Sequence, residues 1–298
     1  MKVVSLLGAL WFSVLYACAH NAPAADMEEH VHAELDAEGP AAAMDPALPA
    51  GAAEASARIA ASPRHAEWAM IDAGNGDSVR VWIIYPERSD RAPVVLVVHE
   101  IFGLTHWIRA VADQLAADGY IAAAPDLLSG AGVPEDESGP DPDSARAAIR
   151  TLAPADVQRR LTAVASWATA LPAALPSYGI VGFCWGGTVS FEHAANAPGL
   201  GASVVYYGTS PSEQDLMRVT APVLGLYGEN DARVNATIAP AEAVLRARRR
   251  TFQTEIYRGA GHGFLRAQTG QEGANMDATV QAWPSTLAWF RQHLEPQR

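Results

Sequence analysis

Three observations predict an α/β fold, with a mostly parallel central sheet and helices on both faces. Val94-Val95-Leu96-Val97-Val98 is an unbroken apolar, mostly β-branched run, the mark of a strand covered on both sides. Short apolar strands then alternate with helical spacing to the end of the chain, which favours parallel crossover connections. Between Val181 and Thr188, Gly182-Phe183-Cys184-Trp185-Gly186-Gly187 reads as a strand, a tight turn and the start of a helix. This Gly-x-Cys-x-Gly pattern is the thiol form of the sharp turn that lifts a reactive side chain above the sheet edge.

In chain order, Met1-Lys2 and the apolar residues from Val3 to Ala17 read as an export signal, too short for a comfortable membrane span. Within residues 1–19, Ala17-Cys18-Ala19 offers a small-residue cleavage site. Leu15-Tyr16-Ala17-Cys18 offers a lipobox-like attachment point, with a lipid anchor at Cys18 and a periplasmic or cell-envelope location; an uncleaved anchor is the third option. Residues 20–62 are rich in Ala, Pro and acidic side chains, and read as a flexible tether. His20, His30 and His32 lie there without a fixed metal geometry.

The folded domain is expected over 63–298. Asn75-Gly76 between apolar alternations signals a hairpin. The 94–98 strand leads to His99-Glu100-Ile101-Phe102-Gly103. A helix from Ile108 to Asp118, stopped by Gly119, precedes a strand over Tyr120–Ala124. The polar, Gly/Pro-rich stretch 129–144 is a long loop, either disordered or a rim of the site. Further strands are expected at 178–182, 203–207, 223–227 and 252–257, with a last helix over 277–294.

The net charge is −12 and the only lysine is Lys2, so no nucleic-acid surface is expected; the Arg246, Arg248, Arg249 and Arg250 cluster reads as a solvated helix end. Beyond the signal, Cys184 is the only cysteine, which leaves no intramolecular disulfide and makes an exposed thiol in an oxidising compartment a liability unless it is used.

A thiol nucleophile needs a base and a group that orients the base. In α/β-hydrolases the order is nucleophile, acid, histidine. After Cys184, the candidates at strand ends are Asp231, with Glu229 as a close competitor, and His262 within Gly261-His262-Gly263.

The four motifs His99-Glu100-Ile101-Phe102-Gly103-Leu104, Gly182 to Gly187, Asp231, and Gly261-His262-Gly263-Phe264 together resemble the dienelactone hydrolase family, over about residues 68 to 294. The resemblance implies a Cys184, His262, Asp231 triad and a carboxylate, Glu100, that holds the resting thiol. It also implies oxyanion donors at the backbone amides of Ile101 and Trp185. Arg266 matches a substrate-carboxylate arginine and Tyr206 a pocket tyrosine; Arg146, Arg150, Arg159 and Arg160 leave the second arginine unplaced.

The expected reaction is hydrolysis of a small-molecule ester or lactone through a thioester, with no metal or organic cofactor and no protein partner evident. A general short-chain carboxylesterase, a non-catalytic ligand-binding protein and a thiol redox centre are the alternatives. Trp107, Trp185, Phe102 and Tyr206 are candidates for an apolar pocket wall.

Overall fold

A computed structural model describes residues 45–197 and 199–295. Asn75 and Gly76 adopt φ of 57° and 75°, the two positive values a tight hairpin turn requires. They join β1 (Ala66–Gly74) to β2 (Asp77–Ile84), which pair antiparallel. β3 (Ala92–Val98) is buried along its whole length, as its apolar run demands. α2 (His106–Ala117), preceded by a short α1 (Ala55–Ala60), leads to β4 (Ile121–Asp126).

Beyond β4 the chain forms a two-stranded ribbon, β5 (Glu135–Asp136) and β6 (Gly139–Pro140), then α3 (Pro142–Ile149) and α4 (Pro154–Thr169). The elbow strand β7 (Ala174–Phe183) feeds α5 (Trp185–Asn196). After it come β8 (Leu200–Tyr206), α6 (Glu213–Leu216), β9 (Val223–Gly228), α7 (Ala232–Asn235), α8 (Ile238–Ala247), β10 (Phe252–Tyr257) and α9 (Ala274–Leu294).

The main sheet runs β1-β2-β4-β3-β7-β8-β9-β10, antiparallel at the β1, β2 edge and parallel from β4 onward. This is the mostly parallel sheet expected from the alternation, in the α/β-hydrolase architecture that the elbow and the resemblance implied. Because strands β3, β7, β8 and β9 all point the same way, their following loops converge on one sheet edge, where sites of open α/β folds form.

The tether expected to run to residue 62 is corrected over 45–62. Leu48, Ala50 and Ala55 are buried and α1 packs on α2. Composition hid this because small residues bury little area each; here they fit a narrow seat where hydrogen bonds do the holding. The export signal, Cys18 and the three tether histidines lie outside the described residues. Among the described residues no helix is long and apolar enough to cross a membrane.

Candidate active site

The elbow is enforced by contact distances. A Cβ at Gly182 would lie 1.9 Å from the Gly186 carbonyl oxygen, and one at Gly186 would lie 2.4 Å from the His99 oxygen. With both glycines bare, α5 starts hard against the end of β7 and Cys184 is driven to φ 54°, ψ −117°. Such a backbone is costly for a residue with a side chain, and such strain is concentrated at functional positions. Cys184 is a free, buried thiol.

Asp231 caps the short α7, accepting from the Val234 amide through Oδ1. Its other oxygen, Oδ2, accepts from His262 Nδ1 at 2.5 Å. The competing carboxylate Glu229 turns away and accepts from the Gly259 amide at 2.9 Å, which decides between the two. Gly259 and Gly263 both carry positive φ, which lets the loop after β10 bend back and present His262.

His262 Nε2 is buried without a completed hydrogen bond. Burial would push the imidazole down, but the charge of the neighbouring Cys184 sulfur, then the bond to Asp231, carry it up to about 10. The sulfur is near enough to act on the ring, although the contact stops short of a formed hydrogen bond. Cys184, His262 and Asp231 are therefore brought together in the expected order.

Glu100 lies just past β3 and is almost fully buried. The resemblance implied that it holds the thiol; here it faces Arg266 instead, with Arg266 Nε 3.0 Å from Glu100 Oε2. The N–H does not line up into a hydrogen bond. Burial accordingly pushes the Glu100 carboxyl up, against the pull of Arg266 and His262. Arg266, expected to be open to substrate, is thus already occupied on one side.

His99 pins this loop. Its Nδ1 donates to the Glu100 carbonyl at 2.7 Å and its Nε2 accepts from the Leu127 amide at 3.2 Å, while its ring stacks on Trp185 at 5.5 Å. Ile101 sits in the turn after β3 and Trp185 is the first residue of α5. Among the loop and cap bonds of the described residues, neither amide donates to a backbone carbonyl.

Tyr206 is corrected. Its hydroxyl bonds to Thr286 Oγ1 at 2.7 Å and the Ala282 carbonyl at 3.3 Å on α9, inside the core. Strand parity explains it: Tyr206 pairs with Phe183, so the tyrosine level with Cys184 is the next one. Tyr207, at φ 40°, lies 5.1 Å from the His262 ring, with a buried hydroxyl that has no partner among the described residues. Sequence reading missed it because the register between β7 and β8 is not written in either strand.

The arginines also sort themselves. Arg159 and Arg160 bind Asp77, at the hairpin, and Arg160 also reaches the Leu127 carbonyl. Arg146, ion-paired with Asp143, sits over the Phe102 ring at 5.6 Å, and Arg266 lies 5.4 Å from the same ring. Two guanidinium groups thus flank Phe102. Pro140 and Leu128 lie beside Gly103, next to Phe102, so the 129–144 stretch, which carries β5, β6 and the start of α3, borders the site at Pro140. Of the other aromatic candidates, Trp107 is buried against Phe183.

The dienelactone hydrolase family model matches residues 79–294. A Salmonella typhimurium protein named "Putative carboxymethylenebutenolidase" is 32% identical over 263 residues, spanning 82% of this chain and 96% of its own. A Bradyrhizobium protein named "Probable 2-oxo-3-(5-oxofuran-2-ylidene)propanoate lactonase" is 30% identical, over 75% of this chain and 94% of its own. The solved structure of a Klebsiella pneumoniae "Putative Dienelactone Hydrolase" superposes with a TM-score of 0.68 at 30% identity, covering 77% of this chain and 99% of that one.

Proposed function

The chain belongs to the dienelactone hydrolase family and is a hydrolase; from that premise we propose that Cys184, His262 and Asp231 hydrolyse an ester or lactone through a thioester. The observation that carries the proposal is the short Asp231 to His262 bond with the unpartnered Nε2 beside the strained Cys184. The raised imidazole makes His262 the acceptor of the Cys184 proton in the proposed attack.

The thiolate attacks the carbonyl carbon, and the oxyanion is held by the Ile101 and Trp185 amides. The C–O bond then breaks, His262 gives its proton to the departing alkoxide, and an acyl group remains on Cys184. Neutral His262 next takes a proton from water as the hydroxide adds to the thioester. Collapse releases the acid and returns the thiolate and imidazolium.

We assign a carboxylated small molecule as substrate class, because Arg266 and Arg146 flank Phe102 at the rim. The name of the Bradyrhizobium relative, a lactonase of a propanoate, points the same way. One observation favours a general short-chain esterase instead: both guanidiniums already face a carboxylate, Glu100 and Asp143. Hydrolysis of a carboxylated dienelactone beside a neutral aryl ester separates these readings. A preference for the lactone supports the first, and equal rates support the second. Mass spectrometry of a quenched reaction should find the acyl mass on Cys184; an unmodified thiol under steady turnover would sink the thioester route.

We also infer export to the cell envelope from Met1-Lys2 and the apolar run after it. Fractionation of expressing bacteria, with and without Cys18→Ser, tests that location and its lipid anchor; the protein found wholly in the cytosol would refute both.

A further inference from the structure

The buried segment Leu48–Gly51, with Ala52 after it, is not explained by core formation, since it brings only one large apolar side chain. Its polar backbone groups go to side chains and loops that carry the site. The Ala52 amide donates to the Arg266 carbonyl at 2.9 Å. Gln268 Nε2 donates to the Pro49 carbonyl at 2.9 Å, and Trp107 Nε1 donates to the Ala50 carbonyl at 3.1 Å.

Each tie leads inward. Arg266 is the residue whose side chain meets Glu100, and it is four positions from His262 on the same loop. The Trp107 ring stands edge-on to Phe183 at 5.0 Å, and Phe183 precedes Cys184. The approach at Gly51 is close: a Cβ there would lie 3.4 Å from the Arg266 oxygen and 2.9 Å from Glu54 Oε2.

The segment is also anchored downstream. Arg64 grips Asp113 of α2 with Nε at 3.0 Å and Nη2 at 2.7 Å, and Ser62 Oγ donates to the same carboxylate at 2.5 Å. Upstream, Arg58 of α1 donates to the Leu48 carbonyl at 2.8 Å. The chain from 48 to 64 is therefore a strap tied to α2 and to the His262–Gln268 loop. All of it lies before residue 79, where the family match begins.

We propose that Leu48–Ala52 is a positioning strap that sets substrate specificity by holding Arg266 in place over Phe102. On the other side of the same loop, Asn275 accepts from the Gly261 amide at 2.9 Å and donates to the Ala267 carbonyl at 2.7 Å. The loop is held between α9 and the strap, and only the strap reaches the backbone of Arg266 itself from outside the loop. Loosening it lets the guanidinium drift while the nucleophile, held by its glycines, stays put. Binding of a carboxylate then weakens and chemistry on a neutral ester does not. The inference rests on the reading of Arg266 as a carboxylate contact.

Two full-length variants test it. Ala52→Pro removes the amide that bonds Arg266, and Gln268→Met removes the side-chain donor to the Pro49 carbonyl. Expected is a KM for the carboxylated lactone raised about fivefold, the scale of one lost hydrogen bond. The kcat for that substrate, and both constants for a neutral aryl ester, should stay within about twofold. An unchanged KM for the lactone, or equal loss on both substrates, overturns the proposal.

Arg266→Ala, measured alongside, keeps the two ideas apart. If it weakens both substrates equally, the carboxylate reading falls, and the strap is judged by hydrogen exchange in Ala52→Pro. Faster exchange of amides 264–268 then sustains positioning by the strap, and unaltered exchange refutes it.

Discussion

Asp77 and Glu100 each face arginine, and their environments drive them in opposite directions. Asp77, at the start of β2, accepts from Arg160 through both its oxygens at 2.8 and 2.7 Å and from Arg159 at 2.9 Å. Those bonds hold its carboxyl down at about 2. Glu100 has Arg266 at 3.0 Å but no aligned N–H, and burial pushes it up. A guanidinium nearby is not sufficient to stabilise a carboxylate. Hydrogen bonds to the charged form and contact with water decide the outcome. The first pair fastens the edge hairpin to α4; the second keeps a destabilised charge at the sheet edge where the candidate site lies, a placement common in active sites.

The largest expected contrast is in catalysis. Asp231→Asn should lower kcat by about 10⁴ through loss of the orienting carboxylate, with Cys184→Ala at least as severe. Asp77→Asn should leave kcat unchanged. Steady-state hydrolysis of the neutral ester measures all three, and a large kcat loss in the Asp77 variant would abolish the distinction between the two regions.

Next, Arg266→Ala should reduce kcat/KM for the carboxylated lactone by about 10²-fold, the scale of a charge-assisted hydrogen bond, and should spare the neutral ester. It also leaves Glu100 without its cation, which pushes that carboxyl further up. Titration of the Glu100 carbonyl-region infrared band, with Glu100→Gln for assignment, should show the extra rise.

The stability effects are smaller and opposite in sign. Asp77 has a folded value below its ordinary 3.8, so its contribution is present above about pH 4 and is lost as pH falls toward 2. Asp77→Asn should cost about 1 kcal/mol at pH 7, discounted for its partial exposure, and the gap from the parent should close in acid. Denaturant melts at pH 7 and pH 2.5 read this directly, and a gap that widened in acid would contradict the sign.

Glu100 runs the other way. A carboxyl raised above its ordinary 4.5 binds its proton more tightly when folded, so stability falls as pH rises from about 4.5 through the raised value. Glu100→Gln should therefore gain thermal stability relative to the parent between pH 4 and pH 8, by a few degrees. A parent whose melting temperature rose more steeply with pH than the variant would show that the Arg266 pair outweighs burial.

Much of this was legible in the chain. Gly182, Cys184 and Gly186 announce the elbow because only glycine tolerates the backbone contacts on either side of a strained cysteine. Asn75-Gly76 announces its hairpin because its turn needs two positive φ values. Val94–Val98 announces a central strand because a residue run without a polar face must be covered twice. These are local steric and solvent rules, and each acts within a few residues, so sequence by itself determined them.

What tertiary structure decided is everything that depends on register and on groups distant in sequence. It chose Asp231 over Glu229, because only one of two carboxylates on one loop meets His262. It placed Tyr207 beside the histidine and Tyr206 in the core, because the pairing of β7 with β8 sets which side chain shares a level with Cys184. It drew Arg146 to Phe102, turned Arg266 to Glu100, and folded a stretch that composition reads as tether into a strap across the loop that carries His262. The physical reason is common to all of these. The energy of a hydrogen bond or ion pair depends on geometry and burial, and those are properties of the assembled sheet rather than of neighbouring letters.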